Sequence, residues 1–470
     1  MSTFSGLNTA TTALWAQQRG LDVTGQNIAN VNTEGYSRQR AELQSVGGTS
    51  VAAIWSVSKD VVGGVDADTV IRIRDAFLEA RAQAESGKTA AMTVHDTTLA
   101  QIEQAFREPG DTGIQAKLTD VFKAWGDVAN NPTEDGARTA VLQKTATLVA
   151  EFHTTDAALD KAWSQTRDAL GVLAEGVNTT IGQVAELNTA IKKATQSGQP
   201  SNELADKRDA LVLELSQSIG ATSTAGDFGV VDVSVGGAAL VSGGSALRLT
   251  VQETSGVPGT NPTDQRLVTD PGGTAVNVGG TAGGQLTALR DTMPGYRDKL
   301  DGAAQALATE FNTAHAGGVD KDGNPGVALF DDGAGNPTGI TAKTLALAIG
   351  DIALLAAADA GTEGTQTTDN RNALAIAKLQ SAANGTAVAY RQLIVKLGVE
   401  ASVATGNLQT QTVVASQVDA SRESVSGVNL DEEMTNMLRF QHAYSAAARM
   451  ITAIDETLDV LINRTGRVGL

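Results

Sequence analysis

The chain has no cysteine. That excludes a disulfide scaffold, a zinc ribbon, a thiolate-held iron–sulfur cluster and a cysteine nucleophile. Aromatic residues amount to 4%, too few for base-stacking platforms or an aromatic-lined ligand pocket. Positive charge is also scarce: 35 Lys and Arg face 53 Asp and Glu, a net charge of -18. Sequence-independent nucleic-acid binding requires the opposite balance. No apolar run is long enough for a membrane span. The longest, Leu345 to Ala358, is interrupted by Gly350 and Asp351 and falls short of about 20 apolar residues. The opening Met1-Ser2-Thr3-Phe4-Ser5-Gly6 has neither the basic nor the apolar segment of a cleavable secretory signal. On residues alone this reads as a cytoplasmic chain, with a non-standard export route left open. Proline is missing from both ends: all 9 prolines fall between Pro109 and Pro337.

What is present is helical periodicity. Hydrophobic content is 41%, well above the disordered range, and 470 residues are ample for about three domains. Leu7, Leu14, Leu21 and Ile28 recur at heptad spacing, with Ala10, Gln17, Thr24 and Val31 at the companion offset. This predicts a helix closed by Asn30, Asn32 and Gly35, which tolerate a left-handed C-cap. From Tyr36 to Val70 the composition predicts strands or an extended linker. Helical patterns resume near Ile71 and dominate to Ile219, with Trp163, Leu170, Val177, Val184 and Ile191 in one frame. Asn131-Pro132-Thr133-Glu134 offers an N-cap with proline at the first helical position.

Between Gly226 and Gly284 the period changes to two: Val231, Val233 and Val235 alternate with polar residues before Gly236-Gly237, a hairpin signal. Leu286 to Ala314 returns to helix, with a kink expected at Pro294. Loops and short strands fill Gly317 to Gly364, and Asn370 to Val425 is helical again. At the C-terminus Leu430, Met437, Tyr444, Ile451 and Leu458 form one seam, and Phe440, Ala447, Ile454 and Leu461 the second. Asn429 is the expected N-cap, with Asp431, Glu432 and Glu433 placed for the positive end of the helix dipole.

The predicted fold class is mainly α with a β-rich insert, nested and multidomain. The N- and C-terminal helices pair as a coiled coil (1–60 with 415–470). A helical-bundle middle domain follows (61–220, 285–318 and 370–414), and an outer β-rich domain loops out furthest (221–284 and 319–369). The acidic excess lies mostly in the middle, and both ends are near neutral. Narrow, near-neutral helices at both ends expose too much surface to be stable as an isolated pair. They are therefore expected to pack against other molecules through Leu7, Leu14, Leu21, Ile28, Met437, Phe440, Tyr444, Ile451, Ile454, Leu458 and Leu461.

Chemical motifs do not survive inspection. Ser86-Gly87-Lys88-Thr89 imitates a phosphate loop, but Ala82 stands where that motif needs glycine. Asp320 to Gly326 starts like a calcium loop, but Pro325 occupies the invariant glycine position and Asp331 the place of the closing Glu. A tight turn held by Asp and Asn side chains is the expected reading. His95, His153, His315 and His442 are scattered without ligand spacing. No catalytic, cofactor-binding or metal residue is assigned.

The two ends carry a family resemblance. Ala29-Asn30-Val31-Asn32-Thr33-Glu34-Gly35-Tyr36, continued by Ser37-Arg38-Gln39-Arg40, resembles the N-terminal signature of bacterial flagellar rod, hook and hook-associated proteins. Ser426-Gly427-Val428-Asn429-Leu430-Asp431-Glu432-Glu433, with Gln441 and Tyr444, looks like the C-terminal signature of members at the hook–filament junction. Arg72 to Leu78, Leu289-Arg290-Asp291 and Asp322 to Gly326 also fit that group. The family motif is thus Ala29, Asn30, Thr33, Gly35 and Tyr36, with Ser426, Gly427, Val428, Asn429 and Leu430. The chain is short for the group, which implies an outer domain that is reduced or missing.

The resemblance implies a non-enzymatic structural protein without cofactor. It implies export through the flagellar type III apparatus, self-association in a helical or ring assembly, and a place beside hook protein and hook-associated protein 3. It further implies a cytoplasmic chaperone on the C-terminal region before export. Nucleic acid and membrane insertion are not implied. Another axial component, hook or distal rod protein, is the alternative; a cytoplasmic coiled-coil adaptor and an enzyme rank behind it.

Overall fold

A computed structural model describes residues 3–46, 63–252, 265–361 and 368–464. The central part of the expected 36–70 extended stretch, part of the β-rich insert and a short piece before Thr368 lie outside the described residues. The chain opens with α1 (Thr3–Ala29). Four short strands follow: β1 (Gln39–Ala41), β2 (Gln44–Val46), β3 (Gly64–Asp66) and β4 (Val70–Arg72). β1 pairs antiparallel with β4, Gln39 opposite Arg72, and β2 with β3, Gln44 opposite Asp66. This ribbon lies against α1, where Thr9 Oγ1 donates to Gly63 O at 2.8 Å.

Four helices then build most of the bundle: α2 (Ala76–Phe106), α3 (Ile114–Asn130), α4 (Asp135–Gln196) and α5 (Asn202–Ile219). α2 begins later than the expected Ile71, which lies in β4. Asp75 sets the start, its carboxylate accepting from Phe77 N at 2.8 Å and Leu78 N at 3.1 Å. The expected cap at Asn131 is also corrected. Asn131 closes α3, its N–H bonded to Asp127 O, and α4 starts after Glu134 without a side-chain cap. α4 is a single helix of 62 residues.

The insert comprises β5 (Thr222–Ala225), β6 (Val231–Val235), β7 (Ala238–Ser242) and β8 (Ser245–Ala246), an antiparallel meander, then β9 (Arg248–Gln252) paired with β10 (Arg266–Asp270). Gly236 and Gly237 turn the β6–β7 hairpin with φ +52° and +84°, the left-handed pair a tight hairpin turn requires. Two asparagines of α4 stitch strands to the helix. Asn178 exchanges two 2.7 Å bonds with the Leu249 backbone, and Asn188 bonds both N and O of Val231. Val233, Val235, Leu240, Val241 and Leu249 accordingly share one continuous core with the bundle, alongside Phe122, Phe311 and Phe330.

α6 (Gly280–Thr287) leads through a π turn at Ala288–Thr292 into α7 (Met293–Ala316). The expected disturbance at Pro294 thus falls on the turn before it. Proline lacks the N–H that would bond the carbonyl four residues back and crowds it. Met293 N bonds Ala288 O instead, and the freed Leu289 O accepts from Trp163 Nε1 at 3.0 Å.

Four two-residue strands come next: β11 (Gly318–Val319), β12 (Phe330–Asp331), β13 (Ala346–Leu347) and β14 (Ala358–Asp359), paired β11–β14 and β12–β13. The Asp320 turn is as expected: its carboxylate accepts from Asp322 N and Asn324 N, each at 2.8 Å. The helix expected over 370–425 is split into α8 (Arg371–Lys378) and α9 (Thr386–Ser426). Glu310 accepts from Thr386 N at 2.9 Å and caps the new start. After Gly427, α10 (Leu430–Asp459) closes the fold, followed by a π turn at Val460–Arg464.

His315 is fully buried at the base of the bundle, edge-on to Trp125. Nε2 accepts from Ala356 N at 2.9 Å, so Nδ1 carries the proton and donates to Val327 O. Burial pushes the imidazole below its usual value, against the opposing pull of the Val327 carbonyl and Asp320. The stability this neutral ring contributes is present above the ordinary imidazole pKa of about 6.5 and is lost as pH falls through the ring's own lower value. Thermal unfolding between neutral and mildly acidic pH should show a steeper loss of Tm for the wild type than for His315→Gln. Identical slopes would mean that His315 binds no extra proton on unfolding.

Candidate assembly site

α10 runs antiparallel to α1. Glu433 meets Asn27, Phe440 meets Gly20 and Ile454 meets Gly6. The α1 residues fully buried in this contact are small or polar: Ala10, Ala16, Gly20, Val23, Thr24 and Asn27. A Cβ on Gly20 would stand 2.7 Å from the Phe440 ring, so only glycine lets the helices approach this closely. The heptad residues Leu7, Leu14, Leu21 and Ile28 flank that line, half-buried, as do Met437, Phe440, Tyr444, Ile451, Ile454 and Leu458 across from them. Leu461 departs from the expected seam. It lies in the π turn, 53% exposed, where the wider turn rotates it off the stripe.

Where this pair meets the bundle, a polar cluster replaces the apolar line. Glu433 is 2% exposed. Its carboxylate accepts from Arg38 Nε at 2.8 Å and from Asn27 Nδ2 at 3.0 Å. Arg38 also reaches Glu432 at 2.8 Å. Asn27 is saturated: its amide donates to Gln39 O at 2.8 Å, and its oxygen accepts from Gln39 N and from Tyr36 Oη, each at 2.9 Å. Arg38 N donates to Ser426 O at 2.8 Å, so the backbones of the two terminal signatures are bonded to each other.

A second cluster continues from the first. Ser37 N donates to Asp206 of α5 at 3.2 Å. Arg72 spans Asp206 at 2.9 Å and Asp209 at 2.7 Å, and Arg74 bridges Asp209 and Glu79. Arg208 completes the ring on Asp209 at 2.8 Å. Burial opposes the charge on Asp209, but Arg208, Arg74 and Arg72 outweigh it and hold the carboxyl below its usual range. The Tyr36 hydroxyl is pushed up to about 12 by burial and by Asp206, Glu203 and Glu433, so it stays a neutral donor to Asn27.

The structure gathers most of the predicted motif here. Asn30 and Thr33 bond each other in the loop at 3.1 Å. Gly35 takes φ +79° and turns the chain against Ala210. Tyr36, Ser426, Gly427 and Val428 are half-buried around the joint. Asn429 caps α10, accepting from Asp431 N at 3.0 Å and Glu432 N at 3.3 Å. Ala29 and Leu430 are exposed. Glu433 stands in the first turn of α10, as the dipole reading has it, and is in addition the buried centre of the joint. Asn27, Gly20, Asp206 and Asp209 are missed by sequence reasoning.

Comparison with known proteins follows the same division of the chain. Residues 99–330 match the flagellar hook-associated protein FlgK helical domain, 420–464 the flagellar basal body rod FlgEFG protein C-terminal family, and 7–36 the flagella basal body rod protein family. Flagellar hook-associated protein 1 of Bacillus subtilis is 31% identical over 506 residues, covering 100% of this chain and 99% of that protein. The chain belongs to the flagellar hook-associated protein 1 family. Its namesake from Escherichia coli is 26% identical over 97% of this chain. The solved flagellar hook junction protein FlgK from Burkholderia pseudomallei shares the fold, with TM-score 0.63, 17% identity and coverage of 74% of this chain and 100% of that one. As a member of the flagellar hook-associated protein 1 family, the chain is a structural protein of the hook–filament junction.

In this member of the family the joint makes a definite demand. Removing Arg38 leaves Glu433 buried with Asn27 as its one neutral donor among the described contacts. Arg38→Ala should weaken the α1–α10 attachment by about 3 kcal/mol, as breaking a buried pair does. Replacing both charges, Arg38→Met with Glu433→Leu, should cost less than Arg38→Ala alone. Hydrogen exchange on α1 and α10 reads this directly; unchanged protection in Arg38→Ala would refute the role given to the pair.

Proposed function

We propose that the chain is built into the axial structure of the flagellum by its terminal helices, with the polar joint setting their direction relative to the bundle. One observation carries this reading: among the described residues, the main core contains none from α1 or α10. Of the 30 residues of α10, only Glu433 and Ala447 are fully buried. Each seam side chain contributes about 1.5–3 kcal/mol when fully covered, whereas ordering costs about 1–2 kcal/mol per residue. A half-covered pair is therefore marginal alone and gains its stability from neighbouring subunits. On this reading the terminal unit is 1–60 with 415–470, and hook protein and hook-associated protein 3 lie on either side. Export runs through the flagellar type III apparatus, with a chaperone on the C-terminal region beforehand. The chain acts without catalysis. No described helix is long and apolar enough to cross a membrane.

Ile451 tests the reading. It is half-buried in the middle of the α10 seam, whereas Arg449 beside it is exposed. Ile451→Asp puts an unpaired charge into a packed seam, at a cost of roughly 3 kcal/mol in the assembly, while the bundle stays folded. Such a strain should build hooks, lack the junction and release filament subunits into the medium; Arg449→Ala should behave as wild type. Normal filaments with Ile451→Asp present at wild-type level would show that this stripe is not an assembly surface.

A further inference from the structure

The junction between α8 and α9 carries chemistry that neither the polar joint nor the terminal seam uses. Asn384-Gly385 is the one Asn–Gly pair in the sequence. It lies in the turn Ala382–Gly385, closed by a bond from Gly385 N to Ala382 O at 2.9 Å. Gly385 is the N-cap of α9 and is buried, whereas Asn384 is exposed. Packing dictates the glycine. An added Cβ would stand 3.0 Å from Glu310 Oε1 and from Leu379 O, and 3.1 Å from the Ala382 Cβ. The same close fit puts Glu310 on Thr386 N at 2.9 Å, so a side chain at 385 would crowd the carboxylate that caps α9. The residue after Asn384 therefore has nothing to shield its main-chain nitrogen. No described contact holds the Asn384 side-chain amide.

We propose that Asn384 is a modification site, converted without an enzyme to isoaspartate and aspartate, and that the conversion loosens the start of α9. Local opening of the turn frees Gly385 N from Ala382 O. That nitrogen gives up its proton to base and attacks Cγ of Asn384. The N–Cγ bond forms, the Cγ–Nδ2 bond breaks and ammonia leaves, giving a five-membered succinimide. The positive end of α9 favours the negative charge that develops on the nitrogen. Water then opens the ring at either carbonyl. The sum is Asn plus water to Asp or isoaspartate plus ammonia, with no oxidant or reductant. Isoaspartate lengthens the main chain by one carbon just before Gly385, whose surroundings have no slack. Gly385 O accepts from Val388 N and Ala389 N, each at 3.1 Å, and Glu310 holds the next N–H, so the displaced residue is the one on which the first turn of α9 is built. Either product also brings a new carboxylate beside Glu310. Thr386, Ala387 and Tyr390, buried in these first turns, lose their fixed position.

The inference is independent of the axial-subunit reading, since it needs only the folded chain in water. The test is to age the purified full chain at mildly alkaline pH beside Asn384→Gln, an exposed change whose longer side chain closes a less favourable ring. The wild-type peptide that spans 384 should gain one mass unit, release an equal amount of ammonia and accept a methyl group from an isoaspartyl methyltransferase. The rate should rise in proportion to hydroxide, and it should rise again when urea opens the turn. Asn384→Gln should show no change at this peptide. Amide hydrogen exchange over Ala387–Tyr390 should quicken in the aged wild type and stay constant in aged Asn384→Gln. A folded chain that keeps its amide at 384 while the urea-unfolded chain loses it would overturn the site, because the turn would then protect rather than expose it. Ammonia loss confined to other asparagines would overturn it equally. Conversion at 384 with unchanged exchange would overturn the loosening of α9.

Discussion

Glu433 is a carboxylate taken out of water at the base of the last helix, and the geometry of both chain ends follows from how its charge is answered. An isolated buried carboxylate costs several kcal/mol, so its partners must be in place whenever the chain is folded. Here the partners come from the opposite end of the sequence: the guanidinium of Arg38 and the amide of Asn27. Asn27 is held in turn by Gln39 and Tyr36, and Arg38 by the carbonyl of Ser426. The register of α1 against α10 and the exit of the chain into β1 are fixed by the same few bonds. An apolar contact at this place would tolerate sliding by a turn. A hydrogen-bonded carboxylate has one satisfied position, which is the role polar residues play in setting coiled-coil register.

The joint passes its orientation to the bundle through charge as well. Ser37 stands one residue before Arg38 and bonds Asp206, and Asp209, three residues further along α5, gathers Arg72, Arg74 and Arg208. Three guanidiniums on one half-buried carboxylate would repel each other were Asp206 and Glu79 not interleaved with them. The arrangement is a network in which each side chain is already immobilised by another, so the added ordering cost per bond is small. It connects Ser37, β4, α2 and α5. Arg422 of α9 reaches Glu79 at 3.8 Å and joins the last long helix to the same network.

How much of this could be read in the sequence depends on the range of the interaction. Period and punctuation are local, so α1, α4, α7, α9 and α10 were legible as helices and the Gly236-Gly237 hairpin as a turn. The break before Thr386 was not, because its cause is Glu310, a carboxylate from another helix that caps the new start. The π turn was half-legible: Pro294 announces a disturbance, but its position depends on Trp163 acting as donor to Leu289 O. For the site, the signature residues mark the place, since Gly35, Tyr36 and Asn429 act through local conformation and capping. The half-buried Arg38 and the buried Glu433 are 395 residues apart in sequence, and in a single chain an acid in the first turn of a helix looks like ordinary dipole compensation. Leu7, Leu14 and Leu21 were legible as a stripe. Their half-buried position was not, because it depends on the aromatic ring that Gly20 admits.

The distribution of small residues links these parts. A pair of helices joined through large side chains on both faces would be a self-sufficient core and would have little left to offer a neighbour. α1 instead meets α10 through alanine, glycine and threonine, which brings the backbones close while leaving Leu7, Leu14 and Leu21 half uncovered. Close backbone approach gives the pair a defined shape; incomplete coverage leaves it dependent on other molecules. α9 shows the same pattern on a longer scale, with Leu397, Ala404, Gln411 and Val418 buried along one side and Val395, Val399, Val403 and Val413 exposed on the other. Rigid local geometry combined with uncovered apolar surface is what a subunit needs if its stability is to rise on assembly. The polar joint supplies the remaining requirement, because surface offered at an undefined angle could not meet the same surface of every neighbour.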